Sequence, residues 1–323
     1  MSYIYFILIF IYSSLSTRVV IAILAKKRIL DLPNQRSNHK KPIPVGGGVA
    51  IISAILLGTT IYTYQYGLCF PIYLIASTLA CATISIIDDI KTVSVPVRLL
   101  IQMISVYLLL LSLPSYNTPL IINFVPLAIE KTMVAIALLG FFNIYNFMDG
   151  IDGLASSQTI YIATTVLVFS IIDSHINPFI SYLCLSIIAA CSGFLIYNWY
   201  PAKIFMGDVG SITLGLICGW LLLNLAIDGY VVAAIIIPGY YLADSLTTII
   251  KRLIQKKKIW QAHSEHFYQL AIRNGKSHSQ VTKKIIYCNL ALTLLSLFSI
   301  NYPIIALVLA ILLIYGFILH LTN

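Results

Sequence analysis

Apolar residues fill blocks of roughly 17–25 positions along the whole chain, and short polar breaks carrying Pro, Gly or Asn separate the blocks. A block of that length crosses a bilayer as one helix. The pattern predicts eleven helices, at about 3–22, 45–64, 70–87, 97–113, 124–142, 154–172, 178–196, 211–227, 230–250, 281–300 and 303–320. The longest polar stretch, Lys251–Ser279, predicts a short loop with an amphipathic helix. The expected fold is therefore an all-α, polytopic integral membrane helix bundle with about 11 transmembrane helices, forming one domain over 1–323 with a loop at about 251–280.

Charge fixes the orientation. If the 23–44 loop is cytoplasmic, alternation assigns every later loop. Lys26, Lys27, Arg28, Arg36, Lys40, Lys41, Lys91, Arg98, Lys203, Lys251, Arg252, Lys256, Lys257, Lys258, Arg273, Lys276, Lys283 and Lys284 then share the cytoplasmic side, eighteen of the 20 basic residues. Arg18 can snorkel from the first span, and Lys131 sits near the outer end of the fifth. The same alternation gathers Asp31, Asp88, Asp89, Asp149, Asp152, Asp208, Asp244 and Glu265 on that side, eight of the 11 acids. Acids did not enter the assignment, so their agreement checks it independently.

Composition supports this class. The chain is 59% hydrophobic and 10% charged, outside the range of soluble domains. A net charge of +9 fits cytoplasmic anchoring on anionic lipid, and no nucleic-acid partner is expected. The six cysteines are scattered, without a Cys-x-x-Cys, so neither disulfides nor zinc are indicated. The first apolar run ends in Lys26-Lys27-Arg28 without a small-residue cleavage site, which predicts a permanent span.

Several polar groups lie at the mouths of apolar helices. Asp88-Asp89 closes the third span; placing an aspartate inside a bilayer costs roughly 2.5–3.5 kcal/mol, and two adjacent ones repel unless a cation is near. The bland alternative is a solvated helix end. Asn143, Asn146, Asp149 and Asp152 are each three apart, so on a helix they drift slowly round one face, with Gly150 and Gly153 allowing a ligand close to the backbone. The alternative is a polar turn. Gly207-Asp208-Val-Gly210-Ser211 opens the eighth span, where Asp208 could bind a metal or Ser211 could simply cap the helix. His263 and His266 suit phosphate contact better than zinc, because no third nitrogen or sulfur ligand accompanies them. Lys40 or Lys41 could reach a diphosphate across Gly46-Gly47-Gly48, whose default role is close packing. Asp244, inside the ninth span, is either functional or a structural ion-pair partner.

In this order the motifs resemble the polyprenyl-phosphate N-acetylhexosamine-1-phosphate transferases, the membrane family of WecA and MraY (glycosyltransferase family 4 type). The matching residues are Arg36-Ser-Asn-His39-Lys-Lys-Pro-Ile-Pro-Val-Gly-Gly, Asp88-Asp89 with Arg98 and Gln102, Asn143-x-x-Asn146-x-x-Asp-Gly-x-Asp-Gly-Leu, Gly207-Asp-x-Gly-Ser and Asp244. The span count is similar to the WecA branch, and His263-Ser-Glu-His266-Phe-Tyr-Gln269 resembles the O-antigen initiating branch. The resemblance implies Mg²⁺ on Asp208, with Mn²⁺ as an alternative ion. It implies that Asp88 activates the lipid phosphate and that Asp149 serves the nucleotide–diphosphate end, with Asp88, Asp89 and Asp149 as the catalytic candidates. Asn143, Asn146, Asp152, Lys40, Lys41, His263 and His266 would serve the nucleotide–diphosphate end. The expected donor is a UDP-N-acetylhexosamine, the acceptor undecaprenyl phosphate in a bacterial inner membrane, and the active site cytoplasmic. A homodimer is compatible with the sequence.

Two other classes compete. The CDP-alcohol phosphotransferases read Asp-x-x-Asp-Gly-x-x-Ala-Arg; here Ser156 and Ser157 replace Ala-Arg, and the second half of that pattern is missing. A transporter or flippase would carry acids midway along its spans and often repeated halves; here the acids sit at one face and no repeat is visible.

Overall fold

The computed structural model describes residues 2–33, 41–68, 71–113, 125–258 and 263–322. Among these the regular secondary structure is helical, apart from the two-residue strands β1 (Leu30–Asp31) and β2 (Ile43–Pro44), which pair antiparallel, and a bridge between Val45 and Phe205. The helices are α1 (Ser2–Lys27), α2 (Gly48–Gln65), α3 (Ile72–Ile90), α4 (Val95–Leu111), α5 (Leu127–Phe147), α6 (Leu154–Ile172), α7 (Pro178–Asn198), α8 (Gly207–Ile227), α9 (Val231–Ile236), α10 (Gly239–Ile254), α11 (Phe267–Arg273), α12 (His278–Phe298) and α13 (Pro303–Thr322). Nine of them are long and apolar enough to cross a membrane. The apolar α4 and the broken pair α9–α10 fall on the remaining two of the eleven predicted blocks.

The differences from expectation are local. The ninth span is not one helix: Pro238 interrupts it, because proline offers no amide hydrogen to the preceding turn and its ring crowds the carbonyl there. The fifth span runs five residues past its predicted end at 142, to Phe147, and so carries Asn143 and Asn146 on its last turns. The eighth begins at Gly207, which puts Asp208 in the first turn and Ser211 inside the helix instead of at its cap. The 251–280 region does contain a short helix, α11.

Helix α8 is the axis of the bundle and is buried from Val209 to Leu222. Glycine lets α5 approach it closely: a Cβ at Gly215 would lie 2.7 Å from the Tyr145 Cβ. Residues Ile4, Ile7, Leu8, Ile11, Leu15 and Val19 of α1 stand exposed, as expected of a lipid-facing helix. Bonds between helix ends sort the bundle into two faces. At one, Tyr66 meets Tyr182, Trp220 donates to Ser112 and Tyr230 to Asp173. At the other, the ends of α3, α5 and α7 meet the starts of α2, α4, α6, α8 and α12.

Candidate active site

The site forms where the start of α8 is gripped from several sides. Gly47 and Gly48 donate their amides to Phe205 O (2.9 Å) and Met206 O (2.8 Å). A Cβ at Gly48 would fall 2.2 Å from Gly210 N, so the triple glycine serves close packing of α2 on the Asp208 segment. From α3, Asp89 accepts from the amides of Asp208 (3.0 Å) and Val209 (3.3 Å). From α5, Asn146 Nδ2 donates to Asp208 Oδ1 and to Ser211 Oγ, both at 2.8 Å. From α4, Arg98 Nη1 lies 2.5 Å from Asp88 Oδ2 and 3.7 Å from Asp208 Oδ2. Asp88 Oδ1 accepts from Val93 N at 2.7 Å.

Asp88, Asp89, Asp149 and Asp208 therefore converge from three separate segments, with Arg98 and Asn146 between them. Asp149 follows the end of α5 and is half-buried. Burial first, and then the negative charges of Asp208, Asp89 and Asp152, hold its carboxyl well above the usual carboxylate range. The expectation that four polar residues run in phase on one helix holds only for Asn143 and Asn146, since Asp149 and Asp152 lie in the loop beyond it. Asn143 Nδ2 donates to Leu139 O (2.7 Å) and to Gln102 Oε1 (3.2 Å), one layer deeper than Asn146. Asp152 is 4% exposed; its Oδ2 accepts from Ala202 N (2.8 Å) and its Oδ1 lies 2.9 Å from His278 Nδ1.

The loop histidines approach through α11. Asp244, fully buried in α10, faces His266 Nδ1 (3.1 Å) and accepts from Phe267 N (3.0 Å), Tyr268 N (3.2 Å) and Tyr240 Oη (3.0 Å). The group that meets Asp244 from the loop is thus a histidine ring. Tyr268 then reaches over to donate to Phe147 O at 2.9 Å, which ties this helix to the Asp149 loop. His263 stacks on His266 with ring centroids 5.0 Å apart. Burial, His266 and Arg252 push the His263 pKa down to about 4, so in the ligand-free chain it is neutral near pH 7. Lys41 is exposed at the edge of β2, and Lys40, with Arg36 and His39, lies outside the described residues.

Among the described residues no group of three or more His, Cys, Asp or Glu is arranged to hold a metal. The donor set suits a hard cation that keeps most of its water and needs one or two protein carboxylates. Asp208 offers a carboxylate that is 31% exposed and oriented by Asn146, inside a pocket with an excess of negative charge.

Comparison with known proteins matches residues 71–226, the stretch from α3 to the end of α8, to glycosyl transferase family 4. That stretch holds Asp88, Asp89, Arg98, Asn146, Asp149 and Asp208. The chain also has relatives over most of its length. It is similar to a probable undecaprenyl-phosphate N-acetylglucosaminyl 1-phosphate transferase of Bacillus subtilis, 28% identical over 84% of this chain and 77% of the relative. It is also similar to a phospho-N-acetylmuramoyl-pentapeptide-transferase of Buchnera aphidicola, 28% identical over 80% of this chain and 85% of the relative.

Sequence reasoning missed three contributors. Asn198 accepts from Gly153 N (3.1 Å) and donates to Ile204 O (2.9 Å), bracing the loops around the site. Tyr268 was legible only as an aromatic residue beside His266. His278 gave no signal at all, because the tenth span was expected to begin three residues after it.

Proposed function

We propose that this chain transfers an N-acetylhexosamine-1-phosphate from a UDP-sugar to undecaprenyl phosphate at the cytoplasmic face of a bacterial inner membrane, releasing UMP. The observation that carries the reading is the meeting of Asp88, Arg98, Asn146, Asp149 and Asp208 at the end of an apolar bundle. Such a position is open to a water-soluble nucleotide and to a lipid whose phosphate lies at the bilayer surface.

In the reaction, a phosphate oxygen of the lipid bonds to the sugar-bearing phosphorus and the bond from that phosphorus to UMP breaks. Two anions must meet, so charge neutralisation and positioning dominate. Asp208, held by Asn146, would bind Mg²⁺, or Mn²⁺, which when bound supplies positive charge to the diphosphate. Arg98 brings a guanidinium to the same place. Asp88 orients the attacking phosphate. That phosphate is mostly ionised already at neutral pH, its second pKa being about 6, so proton removal contributes little. Asn143 and Asn146 supply amides toward the nucleotide end, and the half-buried His263, stacked on the buried His266, would face the diphosphate. Lys41, and Lys40 beside it, would add charge from the 23–44 loop.

The Bacillus relative supports an N-acetylhexosamine donor, whereas the Buchnera relative supports a muramoyl-pentapeptide donor. The loop sequence His263-Ser-Glu-His266 favours the hexosamine and a place at the start of O-antigen synthesis. The test is UMP release by the purified protein with undecaprenyl phosphate, from UDP-GlcNAc, UDP-GalNAc, their 6-deoxy analogues and UDP-N-acetylmuramoyl-pentapeptide. We expect release from one of the hexosamines, dependent on both lipid and Mg²⁺, and labelled UMP should exchange back into the donor. Release from the pentapeptide donor alone would correct the sugar; no release from any of them would overturn the reading.

A further inference from the structure

The loop from Met148 to Gly153 carries Asp149 into the carboxylate cluster, and it is pinned from three directions. At its start Tyr268 Oη donates to Phe147 O at 2.9 Å. At its end Asn198 Oδ1 accepts from Gly153 N at 3.1 Å. Between them Asp152 does most of the holding. Its carbonyl accepts from Thr282 Oγ1 (3.1 Å), and its Oδ2 accepts from Ala202 N (2.8 Å). Its Oδ1 is buried and takes no hydrogen bond among the described residues, although His278 Nδ1 lies only 2.9 Å away.

Asp152 and His278 are 4% and 6% exposed. A carboxylate oxygen that deep is costly unless a donor faces it. The same imidazole nitrogen lies 3.4 Å from the Asp152 amide, which it could instead accept from. That amide contact is long, and a proton on Nδ1 would instead serve the carboxylate oxygen that has no donor. The ring is itself held: His278 is the first residue of α12, Tyr200 packs beside it with centroids 5.4 Å apart, and α12 is fastened to α6 by Asn289–Gln158 (2.7 Å) and Thr165–Thr293 (3.0 Å).

We propose that His278 is a positioning residue for the nucleotide end of the site: its Nδ1–H completes the buried Asp152 carboxylate and so fixes the Asp149 loop against Asp208. Asp152 then acts as a peg for the loop, with both oxygens engaged inside the protein. This rests on the transferase reading above, because the nucleotide is the ligand whose binding the loop would govern.

The test uses the full-length protein, with UMP affinity measured by calorimetry and the KM for undecaprenyl phosphate measured alongside. His278→Ala removes the donor. His278→Gln moves an amide to the far side of the ring position. His278→Asn keeps an amide N–H where Nδ1 sits. The Ala and Gln variants should bind UMP about tenfold more weakly, the typical effect of removing an orienting partner, while Asn stays close to wild type and the lipid KM does not move in any of them. If the Ala variant fails to fold, the contrast between Asn and Gln decides. Equal UMP affinity in all variants, or a parallel change in nucleotide and lipid constants, overturns the inference. So does loss of folded protein in the Asn variant, since its donor is intact. Wild-type protein that binds no UMP overturns the proposed function instead.

Discussion

Asp89 caps a helix to which it does not belong: its two carboxylate oxygens take the amides of Asp208 and Val209, at 3.0 and 3.3 Å, in the first turn of α8. A helix start has free amides and a partial positive charge, and an aspartate there is favourable on both counts. The approach is tight, since a Cβ at Gly207 would lie 2.6 Å from Asp89 Oδ2. The neighbouring Asp88 faces Arg98 instead. Adjacent acids thus divide their roles, one building the helix start and the other lining the site. Asp89→Ala should lower stability by about 1–2 kcal/mol, as loss of a helix cap does, and turnover with it. Asp88→Asn should unfold close to wild type yet release little UMP. Thermal unfolding in detergent, run beside the UMP assay, separates the two, and equal destabilisation by both changes would contradict the division.

Asp244 is satisfied by a histidine, two backbone amides and a tyrosine hydroxyl, all at or below 3.2 Å. An asparagine there would keep one acceptor and point an amide at donors. Leaving buried donors unmatched costs about 1–3 kcal/mol. Asp244→Asn should therefore lower the unfolding midpoint and free His266 from its fixed orientation. Activity should fall further than in His266→Asn, because α11 and its Tyr268 bond to Phe147 loosen together. Activity equal to that of His266→Asn would restrict Asp244 to the histidine alone.

Much of this was legible in the chain. Block length gave the passes, and the lopsided lysines and arginines predicted which helix ends would meet. Spacing located Asp88, Asn146, Asp149 and Asp208, because an acid or amide at the mouth of an apolar helix is conspicuous. The role of Asp89 was hidden, since its partners are backbone amides 119 positions away and backbone leaves no mark on a sequence pattern. Pro238 was visible, but hydropathy alone reads 230–250 as continuous. His278 escaped because a lone histidine near a helix start looks like any solvated residue until Asp152, 126 positions earlier, is brought against it.

Two ionisable groups outside the spans should shape stability in opposite directions. His263 is held down to about 4 in the folded chain, against an ordinary value of 6.5. The unfolded chain therefore takes up a proton first, and stability falls on acidification from about 6.5 to about 4. Asp149 is held above the carboxylate range, so the folded chain keeps a proton that the unfolded chain has released. Its contribution falls as pH rises above about 4. Unfolding midpoints recorded across this range without divalent cations should show His263→Asn flattening the loss on the acid side and Asp149→Asn flattening the loss on the alkaline side. Curves parallel to wild type in both variants would remove these groups as the cause.

Arg98 brings one nitrogen to two carboxylates, 2.5 Å from Asp88 and 3.7 Å from Asp208. Its side chain is 33% exposed, so solvent screens the pair and the contribution to stability is about 1 kcal/mol or less. Its larger effect should be on cation binding. Removing the guanidinium leaves the carboxylates to repel one another, and an added divalent ion then relieves more repulsion than it does in wild type. Arg98→Ala should accordingly show a larger rise in unfolding midpoint on addition of MgCl₂ than wild type, together with reduced turnover. Arg98→Lys, which keeps the charge on a more flexible stem, should lie between them. Asp208→Asn should lose both the MgCl₂ shift and UMP release while remaining folded. A full MgCl₂ shift in Asp208→Asn would move the cation to other residues, and an unchanged shift in Arg98→Ala would mean that the guanidinium and the metal do not share a field.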